Sequence, residues 1–293
     1  MRREAIVDTT GSSSSRINAA AAAVVLLGSF AFLYRDVIAK LVTDWAVDDN
    51  YSHGFLIVPI ALFFVWERRA RLANAKPQSS MIGIILILGS IATLLAGVLG
   101  SELFLTRISM LGIIAGAVLF IYGRQHLKIL AFPILFLLLM IPIPAIIFNQ
   151  IAFPLQLLAS RFGEIVLTAL GIPILREGNV MQLANTTLEV AEACSGIRSL
   201  ISLLTLGIVY GYFMEPRIWA RFALAFATIP VAILANGLRV AGSGVAAHYY
   251  GPEAAEGFLH AFSGWLIFLV AFLMLFLLHR FIRWIARAFR RQA

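Results

Sequence analysis

Eight apolar stretches, each close to the length of a membrane crossing and divided by short charged segments, leave this chain few ways to fold. They are Ile17–Tyr34, Tyr51–Trp66, Met81–Leu99, Ile108–Tyr122, Ile129–Phe148, Ser195–Phe213, Phe222–Leu238 and Ala261–His279. A helix crossing a bilayer needs about 20 apolar residues, fewer where its flanks snorkel. The chain is 61% hydrophobic and 13% charged, against about half and a quarter for a soluble domain. The pattern predicts an all-α polytopic membrane protein whose first partner is the lipid bilayer. A net charge of +8 raises the question of nucleic acid. The basic residues, however, lie in short clusters between apolar runs, as in loops facing anionic lipid, and no nucleic-acid motif accompanies them.

Charge placement orients the spans. With the amino terminus inside, 16 of the 23 Lys and Arg residues fall in cytoplasmic segments and 11 of the 15 acids fall outside. The positive-inside rule therefore favours eight crossings with both termini cytoplasmic. The second stretch is short, and a re-entrant fold there would invert everything after it; the charge distribution argues against that. Residues 1–16 read as a polar cytoplasmic tail, 17–281 as the integral membrane domain and 282–293 as a basic cytoplasmic tail. The first stretch lacks a small-residue cleavage site and reads as an uncleaved span.

Asn149 to Cys194 is then the long outer segment. Ile151, Leu155, Leu158, Phe162, Ile165 and Leu170 share one helical face, with Arg161 and Glu164 on the other, which predicts an interfacial amphipathic helix. Asn179–Ala191 is more polar, and Ala184-Asn185-Thr186 carries a turn signal, so a small β-hairpin is expected before the sixth span. The sequon at Asn185 has meaning only in a host that glycosylates it.

Three reactive side chains fall at one depth in this topology. Cys194, the single cysteine, directly precedes the sixth span, where the positive end of a helix favours thiolate. Arg239 closes the seventh span on the outer side, and His260 opens the eighth. A thiolate attacks a peptide carbonyl to give an oxyanion and then a thioester. An imidazole can take and return the proton, and a guanidinium, never a base, can hold the oxyanion. Each residue also has an ordinary reading: Cys194 as a small packing residue, Arg239 as a snorkelling cation, His260 as an interfacial polar group.

The wording around these residues is more specific. Glu192-Ala193-Cys194-Ser195-Gly196-Ile197-Arg198, then Asn236-Gly237-Leu238-Arg239-Val240, then Ala255-Glu256-Gly257-Phe258-Leu259-His260 with Phe262-Ser263-Gly264-Trp265, closely resemble the exosortases, the bacterial branch of the exosortase/archaeosortase family. Tyr51-Ser52-His53-Gly54-Phe55, before a span ending Trp66-Glu67-Arg68-Arg69, is similar to the family's amino-terminal region. The resemblance runs from about Trp45 to Trp284.

The resemblance implies a membrane-embedded cysteine protease or transpeptidase at the outer face of a bacterial inner membrane. Carried over, Cys194 is the nucleophile, Arg239 the oxyanion or substrate stabiliser and His260 the acid/base, although archaeal relatives carry arginine in place of the histidine. The implied substrates are exported proteins with a C-terminal sorting signal: a Pro-Glu-Pro-type motif, one membrane helix and an Arg-rich tail. The acceptor nucleophile is not implied. Many members carry a further C-terminal soluble domain, expected here to be absent or separately encoded. Arg198, Asn236 and His53 are second-tier candidates for the substrate pocket. Arg198 reads equally as a pocket residue, a binder of a substrate carboxylate or a snorkelling cation, and His53 as a loop residue. Glu189, Glu192, His126, His248 and His279 lack metal-ligand spacing, so neither metal nor cofactor is expected. The rival reading is a non-enzymatic transporter, or a scaffold for export of surface polymers, which would carry ionisable groups or broken helices near the membrane midplane.

Overall fold

A computed structural model describes residues 21, 24–184, 186–190, 197–251, 253 and 258–292. The helices are α1 (Val24–Leu33), α2 (Arg35–Val47), α3 (Gly54–Glu67), α4 (Arg69–Asn74), α5 (Ile82–Leu99), α6 (Leu103–Ile121), α7 (Arg124–Phe136), α8 (Ala145–Ala169), α9 (Ile197–Met214), α10 (Ile218–Tyr250) and α11 (Phe258–Gln292). One small sheet follows α8. Among the described residues α5, α6, α8, α9 and α10 are long and apolar enough to cross a membrane, while α1 and α3 are apolar but shorter. The chain is a multi-pass, mainly helical membrane protein, with five full-length candidate spans among the described residues. It divides into two compact units, residues 1–48 with 54–141, and residues 49–53 with 142–293.

In the first unit α5 and α6 pack through small residues. Gly112 faces Ser90, and a Cβ added at Gly116 would lie 2.7 Å from Ile87; one at Gly97 would lie 2.8 Å from Thr106. Bulky Ile85, Leu88, Leu95 and Val98 point outward. Lipid is as apolar as leucine, so close backbone approach, not burial of large side chains, joins helices in a bilayer. Helix α6 begins at Leu103, earlier than expected, because Glu102 caps it by accepting the Phe104 N–H at 3.2 Å. Arg107 therefore lies inside the helix, buried and paired with Asp44 of α2. Asp44 also accepts from Lys40 Nζ at 2.7 Å. Its partial burial alone would raise the carboxyl pKa, but the hydrogen bonds and charges of Lys40 and Arg107 outweigh this and hold it below the usual range. Nearby, the Tyr34 and Ser109 hydroxyls are 3.0 Å apart.

The expected fifth span, Ile129–Phe148, is not one helix. Helix α7 ends at Phe136 and tightens into a 3-10 turn, Leu137–Met140, before Ile141 turns extended. Ile141 and Ile143 each precede a proline, whose ring drives the preceding residue out of helical geometry. Trp45 Nε1–H reaches the freed Met140 carbonyl at 2.9 Å.

In the second unit, α8 absorbs both the end of that expected span and the expected interfacial helix. It is a single helix of 25 residues. Its buried face is not the apolar face read from the sequence: Ile151, Leu158, Ile165 and Leu170 are exposed, and Leu155 and Phe162 half-buried, while Ala152, Gln156, Ala159, Ser160, Gly163 and Leu167 are buried. The same preference for small residues at helix joints reverses the polarity of the helix. Added Cβ atoms at Gly237, Gly163 and Gly244 would meet Phe162 at 2.7 Å, Val240 at 3.0 Å and Leu167 at 2.6 Å. Both numbers of each pair rise together, so α8 and α10 run in the same direction.

The sheet has strands β1 (Ile174–Glu177), β2 (Val180–Leu183) and β3 (Thr186–Glu189), antiparallel in that order. Ile174 pairs with Leu183 and Val180 with Glu189. The hairpin expected within Asn179–Ala191 is β2–β3, with Asn185 of its turn outside the described residues. Strand β1 is an addition, joined through Gly178 at φ +67°, where a side chain would be strained. The Gly178-Asn179 pair between two short runs was the readable signal. Met181, Leu183 and Val190 bury against Ala159 and Leu167 of α8 and Val240 of α10. Ser160 Oγ donates to the Gly178 carbonyl at 3.0 Å, and Arg176 Nε to Glu164 at 2.6 Å.

Candidate functional site

The seventh expected span overruns its predicted end. Helix α10 continues from Ile218 to Tyr250, 33 residues, or about 50 Å at 1.5 Å per residue, against a hydrocarbon thickness of about 30 Å. Arg239 is therefore not at a helix end but in the interior of a long rod. The extra length persists because Val240, Gly244 and Val245 pack on α8 and the sheet. Asn236 and Arg239 are three residues apart on α10 and so on neighbouring positions of one side; Asn236 is buried and Arg239 half-buried. Between them, Gly237 lets α10 approach Phe162. The glycine of the Asn-Gly-Leu-Arg run thus has a packing reason.

Three helices converge here. Gly207 of α9 faces Thr228 of α10, and Gly211 faces Arg221 and Leu224, so α9 and α10 are antiparallel. Gly207 also meets Leu275 of α11, and Tyr210 meets His279, so α9 and α11 are parallel. Leu203, Val231, Ala232, Ala235 and Ala271 form the shared core. Counting ten residues along each axis from the Gly207 contacts carries Ile197 at the start of α9 to the level of Leu238, beside Arg239, and of Trp265 of α11. His260 lies five residues earlier on α11, about 7.5 Å along its axis at 1.5 Å per residue.

Cys194 lies outside the described residues, three positions before Ile197. For His260 the helix backbone is described and the side chain is not. Arg198 reaches the segment joining α2 to α3: its Nη1 is 3.3 Å from Asp49 Oδ2 and its Nε 3.3 Å from Asn50 Oδ1. His53 is in the same short segment and is half-buried. Its ring centroid is 6.5 Å from that of Tyr51, which in turn lies 6.5 Å from Phe148 of α8. The structure therefore brings Arg198 to the His53 segment, and Asn236 to the Arg239 side of α10. Sequence reasoning missed Asp49 and Asn50 as partners of Arg198; their acidic and amide character just before Tyr51 was the available hint.

A second polar cluster, also missed, closes the opposite end of the three-helix pack. Glu215 and His279 are both buried, 3.3 Å apart, and the other ring nitrogen of His279 is 2.7 Å from the Tyr210 hydroxyl. Arg221 Nε donates to the Glu215 carbonyl at 2.7 Å. A Tyr O–H donating to Nδ1 and an Nε2–H donating to the carboxylate satisfy all three side chains. The lone acid before Pro216, among Arg217 and Arg221, was the signal.

Fold and polar placement define a multi-pass helical membrane protein with a candidate site at one end of a three-helix pack. A family model described as transmembrane exosortase matches residues 45–277, and the chain belongs to that family. No curated protein and no solved structure matches it.

Proposed function

We propose that the protein is a membrane-embedded cysteine protease or transpeptidase that cleaves C-terminal sorting signals of exported proteins at the outer face of a bacterial inner membrane. The observation that supports this reading is the helix register: counted along the axes from the Gly207 contacts with Thr228 and Leu275, Arg239 falls near the level of Ile197, and His260 within about two turns of that level. Family membership supports the reading. Cys194, three positions before Ile197 in the sequence, is assigned as the nucleophile on the wording of its motif.

The chemistry follows. Cys194 Sγ, as thiolate, bonds to the scissile carbonyl carbon, and the carbonyl electron pair moves onto oxygen opposite the Arg239 guanidinium. Collapse of this intermediate breaks the C–N bond; the departing amine takes a proton from the His260 imidazolium, leaving a thioester. An acceptor amine or water then attacks the thioester, gives its proton to His260, and releases Cys194. A Pro-Glu-Pro-type motif on a substrate helix with a basic inner tail would be presented at this level of the membrane.

The transporter alternative gains little from the buried Glu215–His279 pair. It lies at the end of α9, not midway along the helices where a transport site is expected.

Co-expression with a tagged protein ending in a Pro-Glu-Pro motif, membrane helix and Arg-rich tail tests the proposal. Wild type is expected to remove the tail, and Cys194→Ala, present at equal membrane level, to leave it intact. Equal processing by both would remove Cys194 as nucleophile.

A further inference from the structure

The first unit carries a cleft of about 370 Å³ lined by Arg68, Arg71, Gln125, Lys128, Ile129 and Phe132. The end of α3, helix α4 and the first turns of α7 frame it. Arg68 is held rigidly: its Nη1 donates to the Phe64 carbonyl at 2.8 Å, and its guanidinium lies 5.8 Å from the Phe64 ring and 5.3 Å from the Phe132 ring. Glu67 is 4.0 Å from the same nitrogen, at the limit of an ion pair. Arg71, Gln125 and Lys128 are exposed. The start of α7 is tied to the segment after α4 by Gly123, whose φ of +85° and contact with Gln78 exclude a side chain, and by the Gln78 N–H, which donates to the Tyr122 carbonyl at 3.1 Å. Gln125 and Lys128 also sit at the positive end of α7.

We infer that this cleft binds the phosphate headgroup of an anionic membrane lipid. Arginine presents a planar donor fork and lysine a mobile ammonium, the pair of groups suited to a phosphodiester. Ile129 and Phe132 give one wall an apolar character that a free inorganic anion has no use for and the upper part of a lipid does. Beside the cleft, exposed Trp66 stacks under the Arg69 guanidinium at 4.0 Å, the aromatic and cationic pairing found where a helix leaves the hydrocarbon. Arg68, Arg69, Arg71, Lys76, Arg124 and Lys128 give this end the basic density of a surface facing anionic lipid.

The test uses full-length protein, delipidated in mild detergent and titrated with phosphatidylglycerol, phosphatidylcholine or inorganic phosphate, with bound lipid counted by native mass spectrometry. Phosphatidylglycerol is expected to be retained roughly tenfold better than phosphatidylcholine, and millimolar inorganic phosphate to leave that retention unchanged. The combined Arg71→Gln and Lys128→Gln variant, folded as judged by an unchanged melting midpoint without lipid, is expected to lose that preference. Lys76→Gln, at the same end but outside the cleft, is expected to keep it. Equal retention of the two lipids, full retention by the double variant, or an equal loss in Lys76→Gln would overturn the inference. Displacement by inorganic phosphate alone would assign the cleft to a small anion and overturn the lipid as its source.

Discussion

Two arginine–aspartate pairs, drawn from aspartates only five positions apart, behave as opposites. Arg107 and Asp44 have side-chain exposures of 3% and 20%, whereas Arg198 and Asp49 have 41% and 78%. Taking a charge out of water costs several kcal/mol, so the first arginine depends on its partner. The second pair sits in water, where such contacts contribute about 0–1 kcal/mol. One pair is therefore part of how its unit stands up. The other is held loosely enough for Arg198 to exchange the Asp49 carboxylate for another acceptor, beside the candidate site.

The largest effect should come from Asp44→Ala, which leaves Arg107 buried without its carboxylate. A loss of about 3 kcal/mol is expected, read as a lower melting midpoint in detergent, with partial recovery when Arg107→Leu is added. A cost as small as that of an exposed pair would break the contrast. Acid should act through the same group. Because Asp44 has a lowered pKa when folded, its contribution is complete above the ordinary carboxylate range and is lost as pH falls through the lowered value. The melting midpoint should therefore drop on acidification more steeply in wild type than in Asp44→Asn. Next, Gly237→Ala should cost about 1–3 kcal/mol by forcing a methyl toward Phe162, and should reduce substrate processing because Arg239 rides on the same helix. Unchanged processing in that variant would separate the α8–α10 joint from the site. Asp49→Ala should be the mildest, shifting stability by less than about 1 kcal/mol while altering the KM for a sorting-signal substrate more than kcat. A stability loss matching Asp44→Ala would make the two pairs equivalent.

Much of the helical framework was readable because uninterrupted runs of about twenty apolar residues have one solution in a bilayer. Met81–Leu99 became α5 almost residue for residue, and Ser195–Phe213 became α9 over its described part. The errors cluster where hydropathy is a poor guide. At Ile141–Pro144 the residues are as apolar as the rest of the expected span, and the break comes from backbone sterics. In α8 the apolar face reads as that of an interfacial helix, whereas the helix is long and apolar enough to cross the membrane and joins α10 through small residues. Helix α10 outruns its apolar stretch because the sheet and α8 support Val240, Gly244 and Val245, a tertiary effect with no local signature. For the site, the sequence placed Arg239, Asn236 and Arg198 on converging elements. It did not show that Arg198 is engaged by Asp49, a partner 149 positions away that no periodicity links to it.

The reversed polarity of α8 has a practical consequence. Its bulky residues Ile146, Ile151, Phe153, Leu158 and Ile165 face away from the helices it joins, so they serve solvation by lipid and not cohesion. They form a coat that can be repainted. Replacing them with glutamate, lysine and glutamine would leave the alanine, serine and glycine joint untouched, and a water-soluble version of the second unit could begin with these positions.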